Sequence, residues 1–110
     1  MSVVRDLQLD TACPDTRALV EHVTSKWGVL VLLALEEGTQ RWSELKRSID
    51  GVSEKMLIQT LQTLEADQLV RRDALPVVPP HVEYSLTDGG REAAALLGPL
   101  MHWAQLRAQG

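Results

Sequence analysis

After Asp67 the spacing of apolar residues changes period, and this switch constrains the fold more than any other feature of the chain. Before it, Leu57, Leu61 and Leu64 recur at i, i+4 and i+7, the buried side of a helix. After it, Val82, Tyr84 and Leu86 alternate with His81, Glu83 and Ser85, the pattern of a half-buried strand. Leu69 to Leu75 supplies a second strand to pair with it. Between the strands, Pro76-Val77-Val78-Pro79-Pro80 lacks a backbone donor at three of five positions, so it is expected to protrude as a stiff tip outside the ladder. A helix is thus followed directly by a β-hairpin.

The chain upstream supplies more helices. Trp27, Leu30, Val31, Ala34 and Leu35 form an amphipathic stripe, closed by Gly38 as a carboxy-terminal cap. Pro14 opens an earlier helix over about Asp15 to Thr24. Arg41 and Trp42 read as a short extended piece, Ser43 as the cap of a brief helix Glu44 to Ile49, and Asp50-Gly51 as the turn that ends it. Ser53 caps the helix that carries the leucine stripe and runs to Ala66. Thr87 and Asp88 start a last helix to about Arg107, and Gly98-Pro99 predicts a kink or a break in it.

Helix, helix, short strand, helix, turn, helix, hairpin and helix is the order of a winged helix-turn-helix. The predicted class is mainly α with a small β-hairpin wing: residues 1–12 as an arm, and residues 13–110 as one domain with dimerisation helices at both ends. At 110 residues with 45% apolar content, such a domain can bury a core without metal or disulfide staples. The last helix has apolar residues Leu96, Leu100, Met101 and Trp103 on more than one face, more than a lone domain can bury, which predicts a second copy as partner.

Net charge is −4, yet its distribution is uneven. Residues 1–40 hold three basic and six acidic side chains, and residues 73–110 hold two and four. Residues 41–72 hold six basic (Arg41, Lys46, Arg47, Lys55, Arg71 and Arg72) against five acidic, so contact with phosphate is expected there. Opposite the leucine stripe project Lys55, Gln59 and Gln62, flanked by Met56, Thr60 and Thr63. Glutamine can bond bidentately to adenine, threonine can touch a thymine methyl, and lysine can reach guanine or phosphate. A polar helix face is often only solvated. Basic groups on both sides of this one, Lys46 and Arg47 before it and Arg71 and Arg72 at the wing base, favour duplex DNA. The rival is a winged-helix module that docks on protein, which the overall acidity favours slightly.

Other classes find little support. The single Cys13 excludes an internal disulfide framework and fits a reducing cytoplasm, and no leader peptide is legible. The longest strongly apolar run, Val29 to Leu35, is too short to span a bilayer. His22, His81, His102 and Cys13 lack metal-ligand spacing, and Trp27, Trp42 and Trp103 sit on apolar stripes as packing residues. Nucleophile-base pairs, phosphate loops and dinucleotide fingerprints are absent, so neither an enzyme nor a cofactor is expected.

The chain also resembles the HxlR-type bacterial transcription regulators, a branch of the MarR-like winged-helix proteins. The resemblance rests on Cys13-Pro14, Lys26-Trp27, Trp42-Ser43-Glu44-Leu45, Ile49, Gly51-Val52-Ser53, Lys55-Met56-Leu57, Leu64-Glu65, Leu69-Val70, Val78-Pro79-Pro80 and Val82-Glu83-Tyr84-Ser85-Leu86-Thr87. It implies a homodimer on a roughly palindromic operator, with the outermost helices as the interface. It also implies a wing in the minor groove, which adds Pro79, Pro80 and His81 to the contact residues with Ser53 at the helix start. Thr60 stands where such proteins commonly have arginine, and Thr39-Gln40-Arg41 carries fewer arginines than usual, which points to weaker or more A·T-directed contacts. In many such proteins the cysteine equivalent to Cys13 senses oxidants or electrophiles. Here Cys13 is either such a sensor or a small packed thiol.

Overall fold

The computed structural model describes residues 14–79 and 81–110, with Pro14 described by its backbone alone. The arm 1–12, Cys13 and Pro80 lie outside the described residues. Helices α1 (Pro14–Thr24) and α2 (Lys26–Glu36) are bent 72° apart at Ser25. The Ser25 hydroxyl donates to the His22 carbonyl at 2.8 Å and accepts from the Gly28 N–H at 3.1 Å, so one side chain closes α1 and caps α2. Gly28 permits the close approach, since a Cβ there would fall 2.3 Å from the His22 carbonyl oxygen.

The buried arc of α2 is wider than the expected stripe and is rotated from it. Val29, Val31, Leu32 and Leu35 are buried, whereas Trp27, Leu30 and Ala34 are only half-buried at the edge of the core. The reason is position: α2 packs against α1 and three later helices and also against the sheet, so it needs apolar residues nearly all round. Gly38 closes it as expected, with φ +142° and its N–H donating to the Leu35 carbonyl at 3.0 Å.

The next segment starts earlier than the sequence suggests. Strand β1 is Gln40–Arg41, and α3 runs Trp42–Ser48 with Arg41, not Ser43, at the N-cap position. Glu44 Oε1 accepts from the Arg41 N–H at 2.7 Å, and Gln40 Nε2 donates to the Ala34 carbonyl at 2.7 Å. These bonds pin the two residues of β1 and begin the helix at Trp42, leaving Ser43 inside the first turn. After a turn at Gly51 (φ +83°), α4 (Glu54–Ala66) is capped by Ser53 Oγ, which accepts from the Met56 N–H at 3.1 Å. Leu57, Leu61 and Leu64 are buried, as the stripe predicts.

The end of α4 is tied to the start of the last helix. Gln68 takes φ +62°, its N–H donates to Glu65 O and the Leu69 N–H to Leu64 O, both at 2.9 Å, a helix-closing motif that usually employs glycine. Because the Leu69 N–H is committed there, strand β2 is Val70–Leu75, one residue shorter than expected. It pairs antiparallel with β3 (His81–Leu86) from Val70↔Leu86 to Leu75↔His81. The hairpin is not alone: β1 pairs with the other edge of β3, giving a three-stranded sheet of order β1-β3-β2. A two-residue strand has no alternation from which its pairing could be read.

Helix α5 (Asp88–Gln109) opens with Thr87 Oγ1 accepting from the Gly90 N–H at 3.1 Å. Of the kink or break expected at Gly98-Pro99, the break does not occur: the helix continues through both residues. Pro99 removes the donor for the Ala95 carbonyl, but both residues are exposed, so water can take its place.

Candidate nucleic-acid interface

Burial of the leucine stripe aims the opposite face of α4 outward. Lys55, Gln59 and Gln62 are exposed, and Met56 is 37% exposed. The leading edge also carries Ser53, whose hydroxyl serves as the cap. Thr60 and Thr63 are half-buried on the flank that faces α1, where with Glu21, His22 and Ser25 they line a cleft of about 300 Å³. The Thr60 hydroxyl donates to the Met56 carbonyl at 2.7 Å, which leaves its methyl group and a lone pair for any ligand.

The opposite flank faces the wing and differs from the sequence reading in one important respect. The pleat sends the neighbours Arg71 and Arg72 to opposite faces of the sheet. Arg72 pairs across the ladder with Tyr84 and lines a cleft of about 500 Å³ with Trp42, Ile58, Gln62 and Glu65. Arg71 lies on the far face, where its Nε is 3.3 and 3.2 Å from the two carboxylate oxygens of Asp73. On that face His81 Nε2 is also 3.6 Å from Glu83 Oε2. The far face is therefore compensated, while the face turned towards α4 keeps the guanidinium of Arg72 available. Arg41 and Arg47 are exposed at the end of β1 and in the last turn of α3, and Lys46 is half-buried. At the tip Val78 is 98% exposed and Pro79 is exposed.

Sequence reasoning missed Ile58, which is 46% exposed between the polar face and the Arg72 cleft. Its spacing from Leu61 resembles that of a core residue; only the position of the leucine stripe, one step of 100° away, could have shown it turned out.

A second exposed surface is apolar. Leu96, 76% exposed, and Leu100, Trp103 and Leu106 follow one side of α5, and Leu19 and Val20 are exposed on α1. Met101, expected in this set, instead packs partly buried against the core beside Val29 and Leu30, and Leu106 joins the exposed stripe in its stead. Among the described residues no group of three histidine, cysteine, aspartate or glutamate side chains could hold a metal ion, and no single helix is long and apolar enough to cross a membrane.

Residues 22–109 match the HxlR-like helix-turn-helix family. The chain belongs to that family. It is 56% identical over 94 residues to YtfH of Escherichia coli, an uncharacterized HTH-type transcriptional regulator, covering 86% of this chain and 74% of the relative. The solved structure of the ytfH regulator of Salmonella typhimurium is similar with a TM-score of 0.82 and 51% identity, over 89% of this chain and 87% of that one. The redox regulator HypR in its oxidized form is similar with a TM-score of 0.76 and 31% identity, over 84% and 95% of the two chains. The winged helix-turn-helix architecture follows, and family membership places the chain among DNA-binding transcriptional regulators and not among enzymes.

Proposed function

We propose that the protein regulates transcription by binding a duplex operator as a homodimer, with α4 in the major groove and the wing against the neighbouring backbone and minor groove. The observation that carries this is the α4 face: Lys55, Gln59 and Gln62 are exposed without an acidic residue between them, and Arg72 lines the cleft beside Gln62, with Lys46 and Arg47 of the preceding helix assigned to phosphate. Ser53, Met56, Thr60 and Thr63 edge the reading face and Arg41 adds charge; Arg71, held by Asp73 on the far face of the wing, contributes less, and the groove contacts of the wing are assigned to Pro79, Pro80 and His81. The apolar stripe on α5, with Leu19 and Val20 of α1, is the seam between subunits.

The test is selection from a random duplex pool followed by a salt titration. An enriched palindromic sequence and a steep fall of log affinity with log salt support the reading. A protein that retains no duplex at low salt is instead a protein-docking module.

Response to oxidants or electrophiles through Cys13 is the finer part of the proposal. It is supported by likeness to a protein named as a redox regulator. Modification at the start of α1 would add bulk at the seam, where a small shift changes the separation of the two reading helices. Mild peroxide or quinone treatment is expected to weaken operator binding by wild type and to leave Cys13→Ser unchanged; equal loss in both would assign the response elsewhere.

A further inference from the structure

Among the described residues Ile58 keeps 46% of its surface exposed. It lies with Glu54, Lys55, Gln59 and Gln62 along one shallow groove of α4, and with Gln62, Glu65 and Arg72 along the cleft beneath the wing. A solitary exposed aliphatic residue is ordinary on a protein surface. This one stands beside the amides of a reading face, and the major groove offers an apolar side chain one specific partner, the 5-methyl group of thymine. Its geometry suits that partner. A β-branched side chain in a helix keeps a single preferred χ1, so little rotamer freedom is lost when a methyl group packs against it. Gln62 lies one turn on and lines the same two grooves, so its amide can hold an adenine while Ile58 touches the thymine of the same or the adjoining pair. The threonines are poorer candidates for the methyl contact, since both are half-buried on the opposite flank.

We infer that Ile58 packs on the 5-methyl group of one thymine in each operator half-site, beside an adenine held by Gln62, and so sets an A·T preference that the polar residues alone would leave weaker. The inference rests on the proposed entry of α4 into the major groove.

The experiment uses the duplex enriched from the random pool, with each thymine replaced singly by deoxyuridine. This removes the methyl group and leaves every pairing and groove hydrogen-bonding group intact. For wild type, one thymine per half-site is expected to show a loss of about fourfold in affinity, the effect of one buried methyl-sized group. Ile58→Ala and Ile58→Ser, at a half-exposed position and checked for an unchanged melting temperature, are expected to bind thymine and deoxyuridine duplexes equally. The inference is overturned if no thymine is methyl-sensitive, or if the same thymine stays sensitive in both variants. If wild type enriches no sequence at all, the α4 reading fails first and this one falls with it, an outcome distinct from an enriched operator that is blind to the methyl.

Discussion

Helices α4 and α5 are both amphipathic and both bury one side in the same core, but their free sides are opposites. α4 buries Leu57, Leu61 and Leu64 and exposes amides and a lysine; α5 buries Gly90, Ala94 and Leu97 and exposes Leu96, Leu100, Trp103 and Leu106. Burial explains why each helix is there. Only the exposed chemistry separates their roles: unsatisfied hydrogen-bonding groups suit a polar groove, whereas a leucine stripe on a helix of 22 residues, about 33 Å long, suits another copy of itself. The comparison also teaches that net charge is a poor guide here, because in this acidic chain Lys55 and Arg72 beside the α4 face form no ion pair among the described residues, although Glu54 and Glu65 line the same grooves.

The largest effect is expected from breaking the apolar side. Leu100→Asp combined with Trp103→Ala should yield a monomer by light scattering and lower operator affinity at least about a hundredfold, because the two half-sites are then engaged independently. A monomeric variant that keeps full affinity would dissolve the division of labour between the helices. The polar side is broken by Gln59→Ala, expected to cost about 1–3 kcal/mol on the specific site and to relax preference at one base pair per half-site. Melting should not change, since the side chain is exposed.

The two wing arginines sharpen the comparison further. Arg72→Ala should weaken every duplex alike and reduce the salt slope by about one for each subunit, as loss of a phosphate contact does. Arg71→Ala should do less, because Asp73 already holds that guanidinium. Equal effects would mean that the pleat does not decide which arginine meets DNA. The smallest effect is on stability alone. Gln68→Gly should raise it by about 0.5 kcal/mol, as relief of the left-handed backbone is partly offset by greater freedom in the unfolded chain, with operator binding unaltered.

Much of this was legible in the residues themselves. The leucine stripe, the Ser53 cap, the Gly38 stop and the strand alternation of β3 are local patterns, and each predicts its element without knowledge of its neighbours. Features settled by distant partners were not legible. The pairing of β1 with β3 and the rotated buried arc of α2 depend on residues some forty or more positions away or on packing from several sides at once, and the start of α3 at Trp42 on a choice between two local caps that the residues alone leave open. The site divides in the same way. Which α4 residues point outward, Ile58 included, follows from the phase of the leucine stripe, whereas the separation of Arg71 from Arg72 on the two faces of the wing required the pleat and register of the sheet.

The junction at Leu69 ties these parts together. Thr87 Oγ1 donates to the Gln68 carbonyl at 2.7 Å and the Thr87 N–H to Leu69 O at 3.1 Å, and a Cβ at Gly90 would fall 2.0 Å from that same Leu69 oxygen. The first turn of α5 thus rests against the backbone that ends α4, with no room for a spacer. In the proposed dimer each subunit then behaves as one arm of a caliper: the jaw that meets DNA and the handle that meets the partner are fixed at a single pivot. The gap between the jaws is set by how the handles cross, and a side chain as small as a methyl group at position 90 would spring the pivot itself.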